Sequence, residues 1–200
     1  MTGWGAYLLT ALLIELTPGP NMAWLAIVAA GEGSRVGLAA VAGVALGLGA
    51  VGLAAALGLA AIVAASPTLY QLLRWGGAAY LLWLAWDGWR GSREEASLVP
   101  GRAGLRAFRR GLVTNLLNPK AGIFYVAVLP TFLDPSISVL PQTLAHTFGY
   151  VAVATTVHAA IVALAGQAKR ILTDARQERR LRRVLSAALA GVALWLLWRS

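Results

Sequence analysis

Four titratable residues, Glu15, Asp87, Lys120 and His158, stand inside or at the ends of otherwise apolar stretches of this chain. If those stretches cross a membrane, each charge carries a penalty of roughly 2.5–3.5 kcal/mol or more at depth, so it is expected to be paired or functional. Glu15 sits just before Thr17-Pro18-Gly19-Pro20-Asn21, and Lys120 directly follows Asn118-Pro119. Each proline removes a backbone donor and clashes with the turn before it. The groups so freed must be buried in protein or face a watery cavity. A helical segment restarting at such a proline offers free N–H groups and the positive end of its dipole, which suits an anion. Lys120 and the adjacent helix start are therefore expected to attract a substrate carboxylate, with Glu15 and the carbonyls near Thr17 accepting an ammonium group or a proton. A structural Glu15–Lys120 ion pair is the alternative. The chain has 15 Arg and only 2 Lys, so a lysine at this position is a specific choice.

His158, in the middle of an apolar stretch, reads either as a proton relay or as a packed, hydrogen-bonded histidine. Glu15, His158 and Asp87 are the candidates for proton coupling. Asp87, His146 and Gln142 fall nearer the ends of their stretches. Asn115 lies one turn before Asn118, and these amides either line a cavity or satisfy the broken backbone.

The elements that must position these residues are long apolar helices. Apolar residues make up 58% of the 200 and charged residues 12%, where soluble domains carry about 25%; the mean hydropathy is +0.69. No charge occurs at 36–73, 111–119 or 135–168. A spanning helix needs roughly 20 such residues, so the chain reads as an all-α integral membrane protein of about six transmembrane helices in a single domain over 1–200. The expected spans are 4–30, 36–65, 69–89, 111–133, 140–166 and 184–198. The last is about 22 Å long and the shortest. Spans one and four carry the breaks. With half-repeats at about 1–95 and 105–200, these are corresponding helices of opposite direction, hence two inverted three-helix repeats. Paired interrupted helices point to a transporter site near the midplane.

Fourteen Lys and Arg residues fall in the first, third and fifth loops, whereas Arg74 and Arg199 fall on the opposite side. The basic side is cytoplasmic by the positive-inside rule, which puts both termini outside. Trp83, Trp86 and Trp89, and then Trp195 and Trp198, mark the interfaces. The basic net charge of +9 thus reads as topology rather than nucleic-acid binding. The basic loops read as headgroup-level segments, or as a binding surface for anionic lipid or a regulator. Leu105 and Phe108 alternate with Arg102, Arg106 and Arg109 as in an interfacial helix. Gly43 and Gly47 form a GxxxG pair, read as internal packing or as a homodimer interface.

Without cysteine there are no disulfides and no thiolate metal site. With no clustered His or Asp in the spans, a metal site is disfavoured. No GxxxxGK[ST] loop is present, so nucleotide-driven transport has no support and no cofactor is expected. An enzyme would need a converging nucleophile and base or a metal pair; Thr17, Glu15, Lys120 and His158 show no such spacing. A structural subunit would leave two polar breaks unexplained. The start MTGWGAYLLTALLIEL lacks a basic region and reads as a retained helix.

The segment Glu15-Leu16-Thr17-Pro18-Gly19-Pro20-Asn21 resembles the signature of the lysine exporter (LysE/RhtB-type) family of amino-acid efflux proteins. The likeness continues through Gly37–Ala40, Gly43–Gly47, Trp75–Leu81 and Phe108–Leu112 to Thr114–Ala121, which contains Asn118-Pro119-Lys120. It implies a small bacterial inner-membrane exporter of amino acids or related metabolites, driven by the proton-motive force. Thr17, Pro18, Gly19, Pro20 and Asn21, and then Asn118, Pro119 and Lys120, carry over. The direction of transport comes from this resemblance alone. Many members have an acidic residue or histidine early in span two, where this chain reads Gly47-Leu48-Gly49-Ala50-Val51-Gly52. That departure favours neutral amino acids as substrate. Export of another small solute, a metal ion or a polar metabolite, is the alternative.

Overall fold

A computed structural model describes residues 3–17, 19–58, 66–90, 102–134, 136–171 and 175–198. They are helical, with no strand among the described residues: α1 (Trp4–Leu16), α2 (Pro20–Glu32), α3 (Ser34–Ala56), α4 (Pro67–Arg90), α5 (Arg102–Leu116), α6 (Pro119–Ile123), α7 (Val139–Ile171) and α8 (Ala175–Trp198). A π-helical turn (Phe124–Val128) and a 3-10 turn (Leu129–Phe132) extend α6. They surround Pro130, which has no N–H to continue an α-helical ladder.

Two described helices, α3 and the Val139–Gln167 part of α7, are long and apolar enough to cross a membrane. The pairs α1–α2 and α5–α6 with its extension are each bent at a short break, by 61° and 47°, and bring the number to four. α4 has the length, 24 residues, but carries Arg74, Asp87 and Arg90. The apolar part of α8 runs only from Arg183 to Leu194. Among the described residues, length and composition therefore directly support between two and four of the six expected spans.

Three boundaries differ from the expected ones. The second span was expected to reach residue 65, but α3 ends at Ala56, where Gly58 takes φ +81° and its N–H bonds to the Ala55 carbonyl. A left-handed residue after the last turn stops a helix, and glycine adopts it without a Cβ penalty. Residues 59–65 lie outside those described. The segment at Arg102–Arg110 is not a separate interfacial helix but the first half of α5. Likewise, Ala175–Arg183 is the beginning of α8 rather than a loop.

α2 is the central element. It packs against α3, α7 and α8, and buries Trp24, Leu25, Ile27, Val28, Ala29 and Ala30. A helix buried on nearly all sides needs no polar face. α3 packs on both α5 and α7, while α4 pairs with α8. Small residues set these distances. A Cβ on Gly43 would collide with the Phe108 carbonyl, and one on Gly47 would meet Asn115 at 2.9 Å. The GxxxG pair therefore faces α5 within the chain. Leucines such as Leu9, Leu13, Leu46, Leu53 and Leu164 point outward, as a lipid-facing surface requires.

Candidate functional site

The site begins at the two breaks. Thr17 and Asn118 both leave their helices in extended conformation, with ψ of 123° and 109°. Both precede a proline, whose Cδ disfavours the helical region for its predecessor. Pro18 itself lies outside the described residues. α2 restarts at Pro20 and α6 at Pro119, each proline occupying the first turn, where a missing N–H costs nothing. Asn118 caps α6: its side-chain oxygen accepts the Lys120 N–H at 3.1 Å. Gly19, at the start of α2, supplies no such cap.

Lys120 closes the gap between the breaks. Its Nζ donates to the Thr17 carbonyl at 3.0 Å and lies 3.9 Å from Glu15 Oε1. The ammonium thus satisfies the carbonyl that the first break sets free, and its contact with the carboxylate is longer. Gly19 packs beside the lysine stem; a Cβ there would lie 3.6 Å from Lys120 Cδ.

Glu15 is 4% exposed. Tyr150 donates its hydroxyl to Oε1 at 2.5 Å, and His158 Nε2 stands 3.3 Å from Oε2. That second contact is at ion-pair distance but is not aligned as a hydrogen bond, so both ring nitrogens of the buried His158 lack a hydrogen-bond partner. Tyr150, Ala154 and His158 fall on one stripe of α7, and the small Ala154 leaves room between the two larger side chains. Phe124 stacks on Tyr150 at 3.8 Å, and Tyr7 and Tyr125 complete a buried aromatic cluster.

Asn21 and Asn115 meet at 2.9 Å, Nδ2 of Asn21 donating to Oδ1 of Asn115. The remaining Asn21 Oδ1 and Asn115 Nδ2 are buried without a partner. A cavity of about 810 Å³ opens against the breaks, walled by Thr17, Gly19, Asn118 and Lys120 on one side and by Gly191 and Val192 of α8 on another. Lys120 is the one charged residue among the described residues of its wall. Glu15 is not among the described residues of the wall; its carboxylate stands next to the Lys120 ammonium, which is.

The structure therefore gathers Glu15, Thr17, Gly19, Pro20, Asn118, Pro119, Lys120 and His158 around one point, with Asn21 and Asn115 as a neighbouring pair. Asp87 is elsewhere: its Oδ2 pairs with Arg110 Nη1 at 2.7 Å between α4 and α5. His146 stacks on Trp4 at 4.5 Å, and its Nδ1 lies 2.8 Å from the Gln142 carbonyl of its own helix. Gln142 closes the Asp134–Ser138 turn, where the Ser136 hydroxyl and N–H hold the Asp134 carboxyl below its usual range. Sequence reasoning missed Tyr150 and the α8 wall. A phenol two turns before His158 in a charge-free span is a signal for the first. Small residues on α8 carry no chemistry and give none for the second. Among the described residues no group of His, Asp and Glu is arranged to hold a metal.

Three comparisons bear on this arrangement. The sequence profile of the family described as LysE type translocator matches residues 12–200. A membrane protein of Vibrio cholerae is 31% identical over 195 residues, covering 96% of this chain and 95% of that one. The homoserine/homoserine lactone efflux protein of Salmonella typhimurium is 35% identical over 143 residues, 70% of this chain and 69% of its own length. The leucine efflux protein of an Enterobacter species is 35% identical over 133 residues, 65% of this chain and 63% of its own. No solved structure matches.

Proposed function

The chain belongs to the LysE type translocator family, and from that premise we propose that it is a secondary-active exporter of neutral amino acids in a bacterial inner membrane. The observation that carries this reading is the Lys120 ammonium, the one charge among the described residues of the cavity wall, at the junction of two broken helices. A carboxylate entering the cavity exchanges for the Thr17 carbonyl as the partner of Lys120 and meets the start of α2 beside it. The walls near Lys120 include Ile14, Ile123, Val128 and Val192, which suit an apolar or weakly polar side chain. Among the described residues no acidic one lines the cavity, so a cationic side chain finds no counter-ion among them. Relatives named for leucine and homoserine efflux agree with a neutral substrate.

Glu15 is the proton-coupling group in this reading. Its carboxylate is out of reach of bulk water and contacts Tyr150, His158 and Lys120, so its protonation changes the hold on Lys120. The chain crosses the membrane six times as two inverted three-helix repeats, with the basic loops inside and both termini outside. The packing supports this by its reciprocity: the helix after the first break-bearing unit, α3, packs on the second unit, and the helix after the second unit, α7, packs on the first. Pairs α3–α7 and α4–α8 map onto themselves under the same exchange.

Efflux from cells loaded with dipeptides, with all amino acids read at once, tests the reading. Faster release of neutral amino acids, lost on Lys120→Ala at equal membrane expression, is the expected result. Release unchanged for every amino acid would remove the proposed substrate class. Neutral efflux insensitive to an imposed pH gradient would remove the coupling.

A further inference from the structure

A second cavity, of about 460 Å³, lies between the end of α4 and the start of α8, away from the broken helices. Arg176, Arg179, Arg180 and Arg183 line it together with Trp89, Val184 and Ala187. The four arginines stand at i, i+3, i+4 and i+7 of α8, which is one face of a helix. Val184 and Ala187 continue the same stripe one to two turns further on. The Arg183 guanidinium lies 5.5 Å from the Trp89 ring, so the two helix ends meet there. On α4, Arg90 sits over Trp86 at 4.3 Å. No acidic residue is among the described residues that line it.

We propose that this groove is a binding site for an anionic phospholipid, the phosphate held by the arginine stripe and an acyl chain running along Val184 and Ala187. Guanidinium groups match phosphate oxygens with paired donors. Tryptophan and arginine together occupy the boundary between headgroups and hydrocarbon. A free phosphate would use the arginine rim alone. The apolar floor that continues from it, on the same helix face, fits a molecule with both parts. Basic clusters at the inner membrane surface recognise anionic headgroups, each Lys or Arg contributing about a few-fold in affinity.

Native mass spectrometry of the full-length protein in detergent, titrated with phosphatidylglycerol or with phosphatidylcholine of the same chains, tests this. The wild-type chain is expected to hold phosphatidylglycerol about tenfold more tightly. Arg179→Ala with Arg180→Ala should abolish that preference. Arg102→Ala with Arg109→Ala, which removes the same charge from exposed positions of α5, should keep it. Equal affinity of the wild type for both lipids overturns the proposal without any variant. So does an equal loss in the two double variants, which would mean unspecific attraction. Displacement of phosphatidylglycerol by millimolar inorganic phosphate would identify a soluble anion as the occupant and overturn the lipid assignment.

Discussion

The two breaks look alike in sequence, a polar residue before proline in an apolar helix, yet they are finished differently. The break after α5 is closed locally: Asn118 turns its own side chain onto the Lys120 N–H. The break after α1 has no side-chain cap at Gly19, and its free Thr17 carbonyl is satisfied from the other half of the chain by Lys120 Nζ. One break is a self-contained unit, and the other is complete only when the two halves are docked. A site of this kind is adjustable, because whatever draws Lys120 away from Thr17 also loosens the first break. A substrate carboxylate or a change of charge on Glu15 could each do so.

The largest effect is expected from Lys120→Ala. It removes a charge-assisted contact worth about 1.5–3 kcal/mol, so efflux should fall by about 10- to 100-fold at equal expression. Wild-type efflux in this variant would mean that the second break contributes only structure. Glu15→Gln comes next. It retains an acceptor for the Tyr150 hydroxyl but carries no charge at any pH, and the expected result is efflux whose rate no longer follows an imposed pH gradient. A preserved response would move the coupling away from the first break. His158→Gln should weaken that response without abolishing it, because Tyr150 and Lys120 still face Glu15; complete loss would make the histidine the proton carrier.

Stability sharpens the same contrast at smaller scale. Asn118→Ala deletes a helix cap and should cost about 1 kcal/mol, a fall in melting temperature of about 2–4 °C for a chain of this size, read by thermal unfolding in detergent. Thr17→Ala should cost least, about 0.5 kcal/mol or less. Its hydroxyl only bonds back to the Leu13 carbonyl at 3.0 Å, whereas Lys120 uses the Thr17 main chain. A larger loss for Thr17→Ala than for Asn118→Ala would reverse the assignment of which break is locally finished.

Several features follow from the chain's local chemistry and were legible without coordinates. Charge-free apolar runs dictate helices, because no other open structure satisfies the backbone in lipid. Proline chemistry dictates where two of them break and the extended conformation of Thr17 and Asn118. The depth of Glu15 and Lys120 marks them as a pair to be explained. The number of spans was less legible, since α4 mixes charge into its length and α8 carries a basic first third as a continuation of the helix. The end of α3 depended on Gly58, one glycine among many in that stretch, whose left-handed φ is not announced by its neighbours.

Only tertiary structure decided which groups meet. Residues 103 apart in the chain place an ammonium on a carbonyl, and residues 135 apart place a phenol on a carboxylate. Side chains of Asp87 and His158 are equally titratable in sequence. α5 brings Arg110 to the first, while α1 brings Glu15 to the second. The α8 wall of the cavity is written in Ala188, Gly191 and Val192, residues with no chemistry of their own. Secondary structure and breaks arise from interactions within a few residues, which a sequence displays directly. A site arises from the docking of distant helices, and that depends on how small residues such as Gly43, Gly47 and Ala154 let backbones approach.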